Sequence, residues 1–172
     1  NTIGAKGIVS ASEILNDLRS EVIGALKQRG QEGEQKDGMD VALHVVDYDQ
    51  MKLEFAGANN SLILIREGEL MQFNGDRMPI GIHERIGESF KNNVIDVKKD
   101  DMIYIFSDGF QDQFGGPENK KFMIKKLKQI FVNIYSKPLD QQKDILEKSF
   151  YNWIDPFGVD QIDDVLIIGV RI

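Results

Sequence analysis

Four short apolar segments occur in quick succession, Val41–Asp47, Lys52–Ala58, Ser61–Arg66 and Glu69–Phe73, and the last three are parted by the turn pairs Asn59-Asn60 and Glu67-Gly68. Segments this short, joined by so few residues, reach one another only by reversing direction, so the pattern predicts an antiparallel meander. Phe90–Val97 and Met102–Phe106 extend the series of strands. Met78-Pro79-Ile80-Gly81-Ile82 carries both Pro and Gly and is assigned to a loop outside any ladder.

Helices flank the strands. Ser10-Ala11-Ser12-Glu13 has the spacing of a capping box, and Ile14, Leu15, Leu18, Val22, Ile23 and Leu26 follow at helical intervals, which predicts a helix over Ser12–Arg29. The polar stretch Gly30–Gly38 ends it. Apolar stripes predict two further helices, Lys121–Tyr135 and Leu139–Ile154, joined around Pro138. A last strand, Val165–Val170, closes the chain. Strands, a helical pair and one more strand make an α+β architecture, and exclude an alternating parallel βαβ sheet.

Composition narrows the function. The chain has 172 residues, the length of one domain, and no apolar run long enough to span a bilayer. A net charge of −7 argues against a grip on nucleic acid and is compatible with cation binding or with solubility alone. Without cysteine there is no disulfide, no thiolate metal site and no cysteine nucleophile, which is compatible with a reducing, cytoplasmic setting. No signal-peptide pattern opens the chain, and its start at Asn1 without Met reads as that of a piece of a longer protein.

Two acidic positions stand beside the most apolar strands. Met102–Phe106 runs into Ser107-Asp108-Gly109, where a rigid sheet would anchor the carboxylate and Gly109 would leave room for close approach. The simpler reading is a turn dipeptide. Asp163-Asp164 precedes Val165–Val170, and adjacent carboxylates repel unless water or a cation relieves them. A solvated acidic loop is one reading. A site for hard Mg²⁺ or Mn²⁺, shared with Asp108 at one sheet edge, is the other.

Other candidates carry less. His44 lies in an apolar strand and His83 in a loop, neither with a second His or Cys at ligand spacing. Ser107 has no nucleophile elbow and no evident His partner. Gly57, Asn59 and Asn60 read as turn formers. Lys120, Lys121, Lys125, Lys126 and Lys128 read as a solvated helix face, or as a docking surface for an acidic partner.

Taken in order, Asp37-Gly38-Met39-Asp40-Val41-Ala42-Leu43, Ala56-Gly57-Ala58-Asn59-Asn60, Met78-Pro79-Ile80-Gly81-Ile82, Ser107-Asp108-Gly109-Phe110 and Ile162-Asp163-Asp164-Val165 resemble successive motifs of the SpoIIE-like branch of the PP2C (PPM) protein phosphatases. Asp112-Gln113-Phe114-Gly115-Gly116-Pro117 resembles multidomain bacterial members with sensor or repeat regions upstream. The resemblance spans about residues 7 to 172. It implies a sandwich of antiparallel sheets flanked by helices, with a binuclear Mn²⁺ or Mg²⁺ centre at one edge.

By that resemblance Asp108 and Asp163 are metal ligands, and Gly109 and Asp164 are neighbours of the site. The family's other metal carboxylates lie in an acidic strand and an Asp-x-x-Gly-His-Gly type segment upstream, and neither is found here. The expectation is therefore the C-terminal portion of a single phosphatase domain over residues 1–172, lacking its N-terminal strands and about half of the metal shell. The implied activity is hydrolysis of phosphoserine or phosphothreonine on a protein substrate in bacterial signalling, by a metal-activated water and without a phosphoenzyme. The alternative is a non-catalytic binding module that keeps the fold. Upstream regions of the same polypeptide are expected partners, and a homodimer could cover sheet edges left unpaired.

Overall fold

The computed structural model describes residues 10–30 and 37–172. Most of the polar stretch after the first helix and the opening segment Asn1–Val9 lie outside the described residues. In chain order the elements are α1 (Ala11–Ala25), β1 (Gly38–Met39), β2 (Val41–Asp47), β3 (Lys52–Ala58), β4 (Leu62–Arg66), β5 (Glu69–Phe73), β6 (Ile80–Gly81) and β7 (Asn93–Asp96). Then come β8 (Met102–Phe106), α2 (Gly109–Asp112), β9 (Phe114–Gly115), β10 (Lys120–Lys121), α3 (Ile124–Ile134), α4 (Leu139–Ile154), a 3₁₀ turn (Asp155–Phe157) and β11 (Ile167–Arg171). The predicted α+β class holds, and every strand ladder among the described residues is antiparallel.

The chain divides into two compact units, one of Asn1–Leu62 with Gln72–Lys98, the other of Ile63–Met71 with Lys99–Ile172. In the first, β2, β3 and β7 form a sheet in the order β2-β3-β7. Helix α1 opens with the predicted capping box: Glu13 N–H donates to Ser10 Oγ at 3.3 Å, and Ser10 N–H donates to Glu13 Oε2 at 3.2 Å. Ala11 and Leu15 then bury against Ala56, Ala58, Met78, Ile80 and Phe90.

Four expectations in this unit are corrected, and long-range side-chain bonds explain two of them. Helix α1 stops at Ala25, short of the predicted Arg29, because Lys27 takes a left-handed φ of 52° and Gln28 leaves the helix to work as a bridge. The Gln28 amide donates to Asp37 O at 2.6 Å and accepts from Ile82 N–H at 3.0 Å. Ile80–Gly81, assigned to a loop, pairs with Gly38–Met39 in a two-residue ladder. The glycines allow it, since a Cβ on Gly81 would lie 2.7 Å from Asp37 O. Strand β7 is shorter than Phe90–Val97 because Phe90 N–H is spent on Asn16 Oδ1 and the Asn92 side chain accepts from Ser12 N–H. Gly57, read as a turn former, lies inside β3.

The second unit is built on the sheet β11-β8-β4-β5. The β4–β5 hairpin closes on Glu67 and Gly68, both with positive φ (51° and 84°), as a two-residue turn requires. Helices α3 and α4 bury Leu127, Phe131, Ile134, Leu146, Phe150 and Ile154 in one cluster with Ile63, Ile65, Met102, Tyr104, Phe110 and Phe122. Tyr104 stacks on Phe131 at 4.1 Å between ring centroids. Its hydroxyl donates to the buried Gln142 Oε1 at 2.6 Å, and burial pushes the phenol pKa well up. Asp101, 1% exposed, is held by Arg66 through Nε at 2.8 Å and a terminal nitrogen at 2.6 Å. Helix α3 starts later than the predicted Lys121 because Lys120–Lys121 pair with Phe114–Gly115 and Met123 takes a φ of 75°.

Candidate functional site

Strand β8 places Asp108 two residues beyond its end, and β11 is preceded by Asp163 and Asp164. The ladder pairs Ile167 with Phe106 and runs to Arg171 opposite Met102. Antiparallel register therefore brings the segment after β8 to the segment before β11, at one end of the sheet.

Three residues close this end. Ser107 N–H donates to Leu166 O at 3.0 Å, Leu166 N–H donates to Ser107 Oγ at 3.0 Å, and that hydroxyl donates to Asp164 O at 2.9 Å. These side-chain bonds replace ladder bonds, which is why β11 begins at Ile167 and not at the predicted Val165. Gly109 packs on the same segment so tightly that a Cβ there would stand 2.4 Å from Asp164 O and 3.0 Å from Asp164 C. The glycine is demanded by that approach.

The third closure comes from Gln113. This side chain is fully buried, and its amide donates to Asp160 O at 2.9 Å while accepting from Ile162 N–H at 3.1 Å. Its main-chain carbonyl accepts from Trp153 Nε1–H at 3.2 Å. Asp163 thus sits between two clamps, Gln113 on residues 160–162 and Ser107 on residues 164–166. Sequence reading missed Gln113 because an amide in a polar run gives no sign of burial. Ser107, dismissed there as a nucleophile, is a structural bridge.

All three acids are exposed. Asp163 Oδ1 accepts from Asp164 N–H at 2.7 Å. Asp108 begins the short helix α2 and its carboxylate does not cap it. The donor chemistry of Asp108 and Asp163, carboxylate oxygen only, suits Mg²⁺ or Mn²⁺. Their number does not complete a shell: among the described residues no group of three or more His, Cys, Asp or Glu is gathered as a metal site would need. His44 lies in β2, where burial lowers its imidazole pKa, and His83 Nδ1 accepts from Arg85 N–H at 3.3 Å.

A cavity of about 490 Å³ lies between α4 and β11, lined by Phe110, Leu146, Phe150, Val165 and Leu166 among others. Its lining is mostly apolar, and neither Asp108 nor Asp163 lines it. No described helix is long and apolar enough to cross a membrane.

A family model described as Stage II sporulation protein E (SpoIIE) matches residues 5–172. The SiaA-PP2C domain of Pseudomonas aeruginosa superposes with a TM-score of 0.84 at 24% identity, covering 99% of this chain and 64% of that one. The phosphatase domain of the cell fate determinant SpoIIE from Bacillus subtilis, presoaked with Mn, gives 0.59 at 16% identity, covering 93% and 70%. The S. agalactiae serine/threonine phosphatase gives 0.51 at 13% identity, covering 95% and 73%. At these identities the likeness is one of fold. The chain spans just under two thirds of the SiaA-PP2C domain's length. No curated protein matches it.

Proposed function

Because this chain belongs to the SpoIIE family, with the fold of PP2C-type phosphatase domains, we propose that it contributes to metal-dependent hydrolysis of phosphoserine or phosphothreonine on a protein substrate. The observation that carries the reading is the closure by Ser107, Gly109 and Gln113, which fixes the segments of Asp108 and Asp163 at one sheet end. These two carboxylates would hold Mn²⁺ or Mg²⁺, with Gly109 and Asp164 beside them and the remaining ligands supplied from outside the described residues. The bound cations would supply an activated water and charge compensation at the phosphoryl group. The chain's own residues orient: Ser107 and Gln113 hold the acidic segment from both sides, and the absence of a side chain at Gly109 keeps it close. The cytoplasmic setting, a signalling role and regulation by further regions of the same polypeptide belong to the same proposal.

A second reading, a binding module without catalysis, is favoured by the small number of acids gathered among the described residues. One experiment separates the two: hydrolysis of an aryl phosphate and of a phosphoserine peptide, with saturating Mn²⁺, by this chain, by the full-length protein and by full-length Asp108→Asn and Asp163→Asn. Mn²⁺-dependent turnover by the full-length protein, lowered at least about a hundredfold by either substitution and nearly absent in this chain alone, is expected. Undiminished turnover in the Asp108→Asn protein refutes the assignment. A full-length protein that neither turns over nor binds Mn²⁺ is the binding module.

A further inference from the structure

The second unit also carries a basic strip that the phosphatase reading leaves unused. Between Glu118 and Asp140 the sequence has Lys120, Lys121, Lys125, Lys126, Lys128 and Lys137 and no acid, in a chain of net charge −7. Three of these lysines have partners: Lys120 pairs with Glu118, Lys121 with Asp112 at 3.1 Å, and Lys126 lies 3.9 Å above the Trp153 ring. Lys125 and Lys128 instead border a groove of about 300 Å³ whose other walls are Leu70, Ile124, Gln129 and Val132. No acid lines it.

The position of this charge is unfavourable for α3 itself. The first turn contains no acid and Met123 gives no side-chain cap, so lysines stand near the end of the helix where the macrodipole is positive and cations are disfavoured. Lys128 is moreover half-buried against the apolar wall. Lys125, kept against the helix dipole in the first turn, and Lys128, over the aliphatic floor, share a groove that no acid lines, and are complementary to a ligand with the opposite properties: anionic flanks around an aliphatic tip.

We propose that the groove between β5 and α3 is a docking site for an acidic segment of a partner protein, in which an aliphatic side chain enters between Leu70, Ile124 and Val132 while flanking carboxylates meet Lys125 and Lys128. A groove of this size takes one or two side chains, as short peptide motifs require. Nucleic acid fits less well, since two lysines neutralise few phosphates and the groove offers an aliphatic floor in place of a phosphate track. The site does not depend on the phosphatase reading.

The test is fluorescence anisotropy of a labelled peptide of Glu residues interrupted by Leu, titrated with this chain and its variants. Matched peptides carry Ser for Leu or Lys for Glu. Lys125→Glu/Lys128→Glu weakens binding at least about tenfold, Lys125→Ala/Lys128→Ala weakens it less, and Lys143→Glu on α4 leaves it unchanged. The Ser peptide binds more weakly than the Leu peptide, and the Lys peptide does not bind. Thermal unfolding of each variant confirms that the fold persists, and the alanine pair serves if the glutamate pair unfolds. Equal loss in Lys143→Glu, equal binding of the Ser peptide, or no binding of the Leu peptide overturns the proposal. So does a preference, lost in the same variants, for oligothymidylate or for phosphatidylserine vesicles. Self-association that these variants abolish, seen by sedimentation, replaces the partner with a second copy of this chain.

Discussion

Gly109→Ala tests the closure of the two acidic segments directly. A Cβ at this position meets Asp164 O at 2.4 Å, where real Cβ contacts stop near 3.0 Å, so the separation must widen by at least 0.6 Å. The obstacle is main chain and no rotamer relieves it. Overpacking of this kind costs about 1–3 kcal/mol. Moving Asp164 also stretches the bond from Ser107 Oγ at 2.9 Å, one of a pair with the Leu166 N–H bond at 3.0 Å. Each such bond contributes about 1 kcal/mol, part of which water returns at this exposed edge. A total near 2–3 kcal/mol lowers Tm by roughly 4–12 °C for a chain of this size. Urea unfolding and calorimetry read the stability, and hydrogen exchange reads the Leu166 amide. Gly87→Ala is the control, since no atom lies within 4 Å of the Cβ it would add, and it shifts stability by less than about 0.5 kcal/mol. A Gly109→Ala protein as stable as the Gly87→Ala protein, with Leu166 still protected, refutes the close approach and the site geometry with it.

Arg66→Ala leaves the 1% exposed Asp101 carboxylate without its bidentate partner and destabilises by about 3–5 kcal/mol in urea titration. The Arg66→Ala/Asp101→Ala double variant loses less than the sum of the two single losses, and strict additivity would show that the pair is not coupled. His44 supplies a pH dependence: burial lowers its pKa from 6.5, so the folded chain prefers the neutral ring and unfolding takes up a proton. Its contribution is complete above the unfolded value and is lost as pH falls below about 6.5 towards the folded value. Urea midpoints between about pH 7.5 and pH 5 should fall less steeply for His44→Gln than for the unaltered chain, and parallel curves would discount the burial.

Much of the fold was legible because local pattern and tertiary packing agree. The strands Val41–Asp47, Lys52–Ala58, Glu69–Phe73 and Met102–Phe106 and the helix Leu139–Ile154 have the bounds their sequences predict. Much of the disagreement falls where one side chain bonds backbone far away in sequence, as Gln28 does to Ile82, Asn16 to Phe90 and Ser107 to Leu166. Periodicity carries no record of such bonds. In the candidate site the placement of the acids at apolar strand ends was legible, and so was the need for a glycine at position 109. Gln113 was not, because amides are mostly exposed and only the fold shows this one enclosed.

The acidic segments are joined locally, by Ser107, Gly109 and Gln113, although the chain between them passes through both α3 and α4. Spacing at the sheet end therefore meets that excursion at few points, chiefly the inner face of α4, where Trp153 Nε1–H donates to Gln113 O. Lengthening it costs little closure entropy, because the cost grows only with the logarithm of loop length. Residues on the outer faces of α3 and α4 are thus free to change, and a lineage could fit these helices to new regulators while the strand ends keep one geometry.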